Sequence, residues 1–169
     1  MHLFEKNIKE LDLIISDPPA AIANYVPFKV IDNLVYISGQ APIQNGNIIY
    51  SGKVGDVVTE EDGILAAKLC CLNIIAALSK SISGNWDRLD SFVKLGGFVN
   101  CNSDYTEHPK IINGASDLLV SIFGEQGKHT RFAVGSNSLP MNISVEIDAI
   151  VRLKSVSYTH LTLPTICSV

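Results

Sequence analysis

The stretch from residue 143 to residue 153 alternates apolar and polar side chains almost without interruption. Successive side chains of a β-strand point to opposite faces of the sheet, so this alternation predicts a strand with one face in the core. The core face would carry Ile143, Val145, Ile147, Ala149, Val151 and Leu153. The other face would carry Ser144, Glu146, Asp148 and Arg152, and only Ile150 breaks the pattern. A polar second face indicates a sheet that is packed on one side only.

A second alternating segment, just before the first, predicts another strand of the same sheet. One of its faces carries Thr130, Phe132 and Val134, and the other carries His129, Arg131 and Ala133. If two helices cover one face of the sheet, the opposite face must meet water or another subunit. We expect Arg131 and Glu146 to share that uncovered face.

Three segments have helical spacing. Residues 1–15 predict a short amphipathic helix with Leu3, Ile8, Leu11 and Ile15 on one side, ended by the prolines at 18 and 19. A longer helix begins at Thr59, whose following acids resemble a capping box, and ends at Gly84. Its predicted core stripe is Leu65, Leu69, Leu72, Ile75 and Ile82, flanked by alanines and cysteines that let it lie close to a sheet. The last helix runs from about Glu107 to Gly124, with Ile111, Ala115, Leu118, Leu119 and Ile122 as its core stripe.

Further strands are predicted between these helices. Residues 27–31 and 34–38 read as a hairpin around Asp32-Asn33, and residues 41–55 read as a loop with one short strand. Residues 91–100 form another β-rich run, in which Gly96-Gly97 indicates a bulge or a close backbone approach. The sequence therefore predicts an α+β domain.

Composition limits the class of protein. With 169 residues, 47% of them hydrophobic, the chain can bury one core, and it is not a disordered polymer. A net charge of −4 argues against a broad nucleic-acid surface, and a charged fraction of 18% is low enough to suggest burial between subunits. The stretch 64–78 contains Lys68 and Asn73 and is too short for a membrane span, and no signal peptide is evident. Cysteines without C-x-x-C spacing favour a reducing, cytoplasmic setting.

The last residues do not continue the pattern of the domain. Residues 156–165, VSYTHLTLPT, resemble the translation of a sequencing adapter. We therefore expect one domain over residues 1–154 and a non-native tail over residues 155–169, which is excluded from any site. An ordinary polar tail is the alternative.

No motif for a cofactor or a metal is evident. The sequence has no G-x-G-x-x-G, no P-loop, no pair of histidines at metal-ligand spacing and no G-x-S-x-G elbow. His108 and His129 stand alone, and a lone histidine is more often a surface or helix-start residue than a ligand. We expect neither a cofactor nor a metal.

Three groups of residues, in this order, carry a resemblance to a known family. Tyr25 lies thirteen residues before Ser38 in the run SGQAP, and Asn113 follows the strand VKLGGFVN. Arg131 then precedes Leu139-Pro140 by eight residues and Glu146 by fifteen. Over residues 20–153 the chain resembles the RidA/YjgF family of reactive-intermediate deaminases, also labelled endoribonuclease L-PSP. The N-terminal helix and GKVG at 52–55 resemble that family's longer branch.

The resemblance implies a fold and an activity. The fold is chorismate-mutase-like, a mixed sheet covered on one face by two helices, in a homotrimer with a ligand cleft at each interface. The activity is hydrolysis of small 2-imino acids to 2-oxo acids and ammonia, without a cofactor. The residues carried over are Arg131 and Glu146 for catalysis, and Tyr25, Ser38, Asn113, Arg131 and Ala133 for binding.

The chemistry of these residues suits that substrate. A guanidinium binds a carboxylate through two parallel hydrogen bonds, and a nearby carboxylate can position or deprotonate the attacking water. The expected partners are other copies of the chain and a small 2-imino or 2-oxo acid, with neither nucleic acid nor membrane. Because active members carry Cys, Ser or Thr where this chain has Ala133, a carboxylate-binding protein or sensor without turnover is the alternative.

Each of these residues also has a structural interpretation. Arg131 could pair with Glu146 or Asp148 across the strands, and Glu146 could be a structural acid. Tyr25 could lie at an interface rim, and Ser38 could cap a strand. Asn113 could bind a neighbouring backbone group, and Gly114 beside it fits close helix packing. RNA cleavage is suggested only by the family's label, and the acidic pI counts against it.

Overall fold

The computed structural model describes residues 3–13, 15 and 24–155. Within these residues it contains a five-stranded sheet, a two-stranded hairpin, three α-helices and three short 3₁₀ helices. In chain order the elements are α1 Leu3–Glu10, β1 Phe28–Ile31, β2 Leu34–Gln40, β3 Ile43–Gln44, β4 Asn47–Ile48, α2 Glu60–Ser81, β5 Leu89–Asn100, α3 His108–Phe123, β6 Thr130–Ser136 and β7 Val145–Leu153. The α+β prediction is confirmed. The predicted tail, from residue 156 onward, lies outside the described residues.

The large sheet is mixed and has the order β1-β2-β7-β5-β6. Its strands are antiparallel except β5 and β6, which are parallel and are joined through α3. A parallel pair needs such a crossover, and here the crossover places α3 on the sheet. In the 41–55 segment, β3 and β4 form a hairpin around Asn45-Gly46, both with positive φ, so this loop holds two short strands and not one.

Helices α2 and α3 cover one face of the sheet, as predicted. The covered face carries side chains that are fully or almost fully buried: Val35, Ile37, Leu95, Val99, Val145, Ile147, Ala149 and Val151. On the opposite face, Tyr36 is 41% exposed, Phe98 39% and Val134 42%. We call this opposite side the open face. Its exposed apolar side chains are the kind of surface that a second protein chain covers.

The α2 helix begins as predicted and packs differently from the prediction. The Thr59 hydroxyl accepts a hydrogen bond from the Asp62 backbone N–H, which caps the first turn. The predicted stripe of leucines is wrong in part, because Leu65 is 45% exposed and Leu69 and Leu72 are half-buried. Small residues such as Ala66, Ala67 and Cys70 occupy the buried side instead, because they let the helix backbone approach the sheet.

The same helix is the one described helix long and apolar enough to cross a membrane by length and composition. It extends beyond the apolar stretch 64–78 at both ends. Within the protein 61% of its most apolar stretch is buried. Length and composition are weak evidence here, because the core helix of a globular domain meets the same criterion.

Removing the α2 cap gives a first prediction. Thr59→Ala is expected to lower the free energy of unfolding by about 1 kcal/mol, because the Asp62 N–H loses its partner. Thr59→Ser keeps the hydroxyl and is the matched control. Chemical denaturation at one chain concentration measures both variants. A Thr59→Ala protein as stable as Thr59→Ser would contradict the capping role.

The N-terminal helix is shorter than predicted, and its predicted core side is confirmed only in part, because Ile8 packs against the core cluster and Leu3 and Leu11 do not. Phe4 is its one buried side chain, and its ring contacts those of Trp86 and Phe123 at centroid distances of 6.4 and 4.8 Å. Leu3 and Leu11, which were predicted for the core side, are 62% and 44% exposed. Phe4 is buried because its ring packs against these two aromatic rings of the domain. The spacing of apolar residues along the helix does not predict this contact. The predicted side chain at position 15 packs against the core cluster.

Candidate functional site

Arg131 lies on β6, and α3 holds its guanidinium. One terminal nitrogen, Nη1, donates to the Ser116 hydroxyl at 3.0 Å, and the other, Nη2, donates to the Pro109 carbonyl at 3.3 Å. Both acceptors belong to α3, which packs on the covered face of the sheet. Arg131 makes no ion pair with any described carboxylate.

The prediction that Arg131 and Glu146 share one face is wrong. Arg131 pairs in register with Leu95, which pairs with Ala149 on the covered face. Glu146 pairs with Phe98, whose side chain lies on the open face. The pairing of Arg131 with Glu146 or Asp148 within one chain is therefore excluded as well.

The physical reason lies at the sheet edge. Strand β6 is the last strand, and there the covered face meets polar groups along α3 in place of a closed apolar core. The apolar set on β6 turns to the open face, where the Phe132 ring contacts Phe98 and the Lys94 ammonium lies 5.3 Å from its centroid. Alternation divides a strand into two faces, and packing decides which of them is covered.

A histidine and a serine surround the arginine. The Ser116 hydroxyl lies 3.0 Å from His129 Nε2, and His129 Nδ1 lies 2.7 Å from the Gly127 carbonyl oxygen. Burial lowers the pKa of the His129 imidazole below its ordinary value, and the Arg131 charge lowers it further, against the effect of the Gly127 carbonyl. The ring is therefore neutral at neutral pH.

Asn113 and Ala133 lie beside these groups. Asn113 is exposed on α3, one turn after Pro109 and one turn before Ser116, the two residues that hold Arg131. Ala133 shares the side of β6 that carries Arg131 and is half-buried against the core. We call Arg131, Asn113, Ser116, His129 and Ala133 the arginine half-site. Its serine was not predicted, since a serine inside a helix has no local sequence signal.

Glu146 lies on the open face, over the backbone of β2. A side chain at position 39 would collide with the Glu146 carboxylate, so Gly39 makes room for it. Burial raises the pKa of the Glu146 carboxyl, and the neighbouring Asp148 charge raises it further. No ion pair joins Glu146 to a described residue. A carboxylate with a raised pKa and no cation is suited to accept a proton.

Ser38 is the residue before Gly39, and Tyr25 belongs to the segment that is hydrogen-bonded to Ser38. Ser38 precedes Gly39 in an irregular part of β2, and its hydroxyl donates to the Val26 carbonyl at 2.7 Å. Tyr25, next to Val26, is 52% exposed. Ser38 and Val26 also line a cavity of about 210 Å³ together with Asp148. We call Tyr25, Ser38, Gly39 and Glu146 the glutamate half-site.

The pKa of Glu146 is open to a direct test. Asp148→Asn is expected to lower it, because the variant removes the neighbouring negative charge and leaves the burial in place. A carbon-13 NMR titration of the Glu146 carboxyl in both proteins measures the change. A base with a lower pKa stays ionised at lower pH. The acid side of the pH–rate profile of any reaction that uses Glu146 should therefore shift to lower pH as well. An unchanged titration would mean that Asp148 does not act on it.

The chain is similar to known proteins in both sequence and structure. Residues 7–153 match the family described as "YjgF/chorismate mutase-like, putative endoribonuclease". The chain is 35% identical to Protein TCP17 of Trypanosoma cruzi over 150 residues, which are 88% of this chain and 93% of that protein. Among solved structures it is similar to the protein Atu1372 of Agrobacterium tumefaciens, with a TM-score of 0.84 and 41% identity over 90% of this chain and 94% of that one.

A second solved structure agrees with the first. A protein described as a putative endoribonuclease from Shewanella oneidensis has a TM-score of 0.86 and 32% identity, over 90% of this chain and 100% of its own. The matched residues 7–153 span every strand of the sheet and both covering helices. The chain belongs to the YjgF/chorismate mutase-like family.

Proposed function

We propose that this protein hydrolyses small 2-imino acids, such as 2-iminopropanoate and 2-iminobutanoate, to 2-oxo acids and ammonia. The observation that carries the proposal is the pair of half-sites. Among the residues that the structure describes, one half-site presents a guanidinium that is held in place and has no carboxylate partner, and the other presents a half-buried carboxylate that has no cation. A small imino acid needs one of each.

The half-sites lie on opposite faces of one sheet, so they can face each other only across an interface between two copies. Two different surfaces that contact each other in this way form a head-to-tail interface, which closes into a ring when the rotation between neighbours divides a full turn evenly. The apolar side chains of the open face, Tyr36, Phe98 and Val134, supply the contact area. We propose a homotrimer, the assembly expected from the resemblance, with a cleft between each pair of neighbours.

The reaction in this cleft needs binding, orientation and one proton acceptor. The N–H groups that Arg131 does not use toward Ser116 and Pro109 bind the substrate carboxylate and fix its plane. Glu146 takes a proton from water as the oxygen adds to the imine carbon, and it passes this proton to the imine nitrogen, which gives the neutral carbinolamine. As the C–N bond then breaks, Glu146 takes the hydroxyl proton and transfers it to the departing nitrogen, which leaves as ammonia and yields the 2-oxo acid. Because imines hydrolyse readily in water, orientation alone gives a useful acceleration.

The test is ammonia release from 2-iminobutanoate that a threonine dehydratase generates in the same solution. The protein is expected to raise the rate above the spontaneous one, and Lys80→Ala, which removes an exposed charge on α2, is expected to behave as the parent protein does. A rate equal to that of buffer alone would refute the deaminase activity.

Ala133 favours a second candidate function, a protein that binds small carboxylates without turnover. Ala133 offers no hydrogen bond from its side chain on the Arg131 side of β6. Calorimetry with 2-oxobutanoate, together with the ammonia assay, separates the two functions. Binding without acceleration supports the second, and the absence of binding by any small carboxylate excludes it.

The endoribonuclease description of relatives calls for one further assay. The net charge of −4 gives little attraction for RNA phosphates. We propose that the protein acts on a small metabolite in the cytoplasm and binds neither nucleic acid nor membrane. RNA cleavage that disappears in Arg131→Ala would contradict this.

A further inference from the structure

We propose that Ser116 and His129 are positioning residues, which act as a hydrogen-bond relay to hold the Arg131 guanidinium in the orientation that a ligand carboxylate needs. The inference rests on the carboxylate-binding part of the proposed function and adds two residues to it. Neither residue was among the predicted site residues. Its basis is the continuous path of hydrogen bonds from Arg131 to the Gly127 carbonyl.

The direction of each hydrogen bond in the relay follows from the donors available. A carbonyl oxygen only accepts, so His129 Nδ1 carries the hydrogen that points to Gly127. In the neutral ring Nε2 is then an acceptor, and it takes the hydroxyl proton of Ser116. With its proton committed, the Ser116 oxygen presents a lone pair to Arg131 Nη1, which donates to it.

This arrangement determines which way the guanidinium faces. An arginine side chain has many rotamers, and ordering it on ligand binding costs affinity. Bonds to Ser116 and to the Pro109 carbonyl hold the two terminal nitrogens of Arg131 to α3 before any ligand arrives. Because His129 fixes the Ser116 hydroxyl, the serine cannot turn its proton toward the guanidinium and repel it.

The surroundings of His129 are consistent with a neutral, orienting role. Helix α3 presents the uncharged Ser116, the turn before β6 presents the Gly127 carbonyl, and Arg131 is the charged side chain that acts on the ring. Protonation of the ring would place a hydrogen on Nε2, where the relay needs an acceptor, so ligand affinity is expected to fall as the pH drops below the pKa of His129.

Calorimetry with 2-oxobutanoate tests the relay. Ser116→Ala is expected to weaken binding about tenfold, as expected for the loss of one hydrogen bond to a charged group. Ser121→Ala is the matched control, because Ser121 lies on the same helix and donates only to the Leu118 carbonyl. Binding by Ser116→Ala within twofold of the Ser121→Ala protein would overturn the proposal.

Variants of His129 distinguish positioning from general packing. His129→Gln keeps an acceptor near the Nε2 position and is expected to bind within about threefold of the parent protein, whereas His129→Leu should lose as much as Ser116→Ala. The double variant Ser116→Ala/His129→Leu should bind as Ser116→Ala does, because the two residues act through one bond. Additive losses would contradict a relay.

Nitrogen-15 NMR of the His129 ring supplies a readout that does not depend on ligand. The free protein is expected to show the hydrogen on Nδ1 and an accepting Nε2, and the Nε2 signal should change in Ser116→Ala. A ring protonated on Nε2 at neutral pH would overturn the relay. If the parent protein binds no carboxylate, the proposed function fails together with this inference. If it binds and Ser116→Ala binds equally well, this inference alone fails.

Discussion

A mixture of Arg131→Ala and Glu146→Gln chains is expected to regain the deaminase activity that each variant lacks alone. Arg131→Ala removes the paired hydrogen bonds to the substrate carboxylate and should lower kcat/KM by about 100-fold. Glu146→Gln removes the proton acceptor and should have an effect of similar size. In either homotrimer, every cleft lacks one of the two groups.

Mixed trimers differ because each cleft takes its arginine from one chain and its glutamate from the neighbour. Arg131 and Glu146 lie on opposite faces of the sheet within one chain, so the two groups of a working cleft come from different copies. With equal amounts of the two variants assorting at random, about a quarter of the clefts pair an intact Arg131 with an intact Glu146. Activity should therefore rise to about a quarter of the parent value.

The experiment needs true subunit exchange and a control for it. The two variants are refolded together from denaturant, and native mass spectrometry of chains with different tags confirms mixed trimers. The double variant Arg131→Ala/Glu146→Gln, mixed with Arg131→Ala, is the matched control, because no chain in that mixture has Arg131. Recovery in the control, or none in the test mixture despite mixed trimers, would refute a shared cleft.

The parts of the fold that the sequence predicts well depend on local signals. The Thr59 cap, the β1-β2 hairpin and the Gly124 stop of α3 each follow from residues within a few positions of one another. Alternation also identified β7 as a strand with one buried face. In these cases the structure is stabilised by interactions between residues that are close in the sequence.

The errors occur where distant contacts decide. Leu3 and Leu11 fit an amphipathic pattern, yet the aromatic pocket of Trp86 and Phe123 accepts Phe4. Phe132 and Val134 were the apolar set of β6, yet they lie on the open face. When both faces of a strand carry apolar residues, the sequence does not show which face the helices cover. Burial against a helix and burial against another chain need the same kind of side chain.

The same contrast between local signals and distant contacts applies to the candidate site. The order and spacing of Tyr25, Ser38, Asn113, Arg131 and Glu146 were available from the sequence, and their spatial grouping was not. The structure places Asn113 and Arg131 on the side of the sheet that the helices cover, and Ser38 and Glu146 on the open face. His129 was predicted to lie on the same side of its strand as Arg131, but its bond to Ser116 depends on where α3 crosses that strand.

Gly114→Val is expected to lower the stability of the domain strongly. An added Cβ would lie 3.1 Å from the carbonyl carbon of Ile64 and would overlap its oxygen, so α3 contacts the backbone of α2 directly. A backbone cannot turn aside as a side chain can, so the helices must separate and open the core beneath them. We expect the free energy of unfolding to fall by about 3 kcal/mol or more, a large share of the usual total.

Asp117→Val is the matched control for that substitution, because it places the same side chain at an exposed position one turn later in α3. It should change the free energy of unfolding by less than about 0.5 kcal/mol, because valine and aspartate have nearly the same helix propensity and the position is exposed. Both variants are denatured at one chain concentration, because assembly also stabilises the chain. The difference in stability between them then measures the helix–helix contact apart from helix propensity. The sequence analysis interpreted Gly114 as a position that fits close helix packing. Equal stability of the two variants would contradict that interpretation, and a Gly114→Val protein that unfolds far more easily would show that α2 and α3 need this contact to cover the sheet.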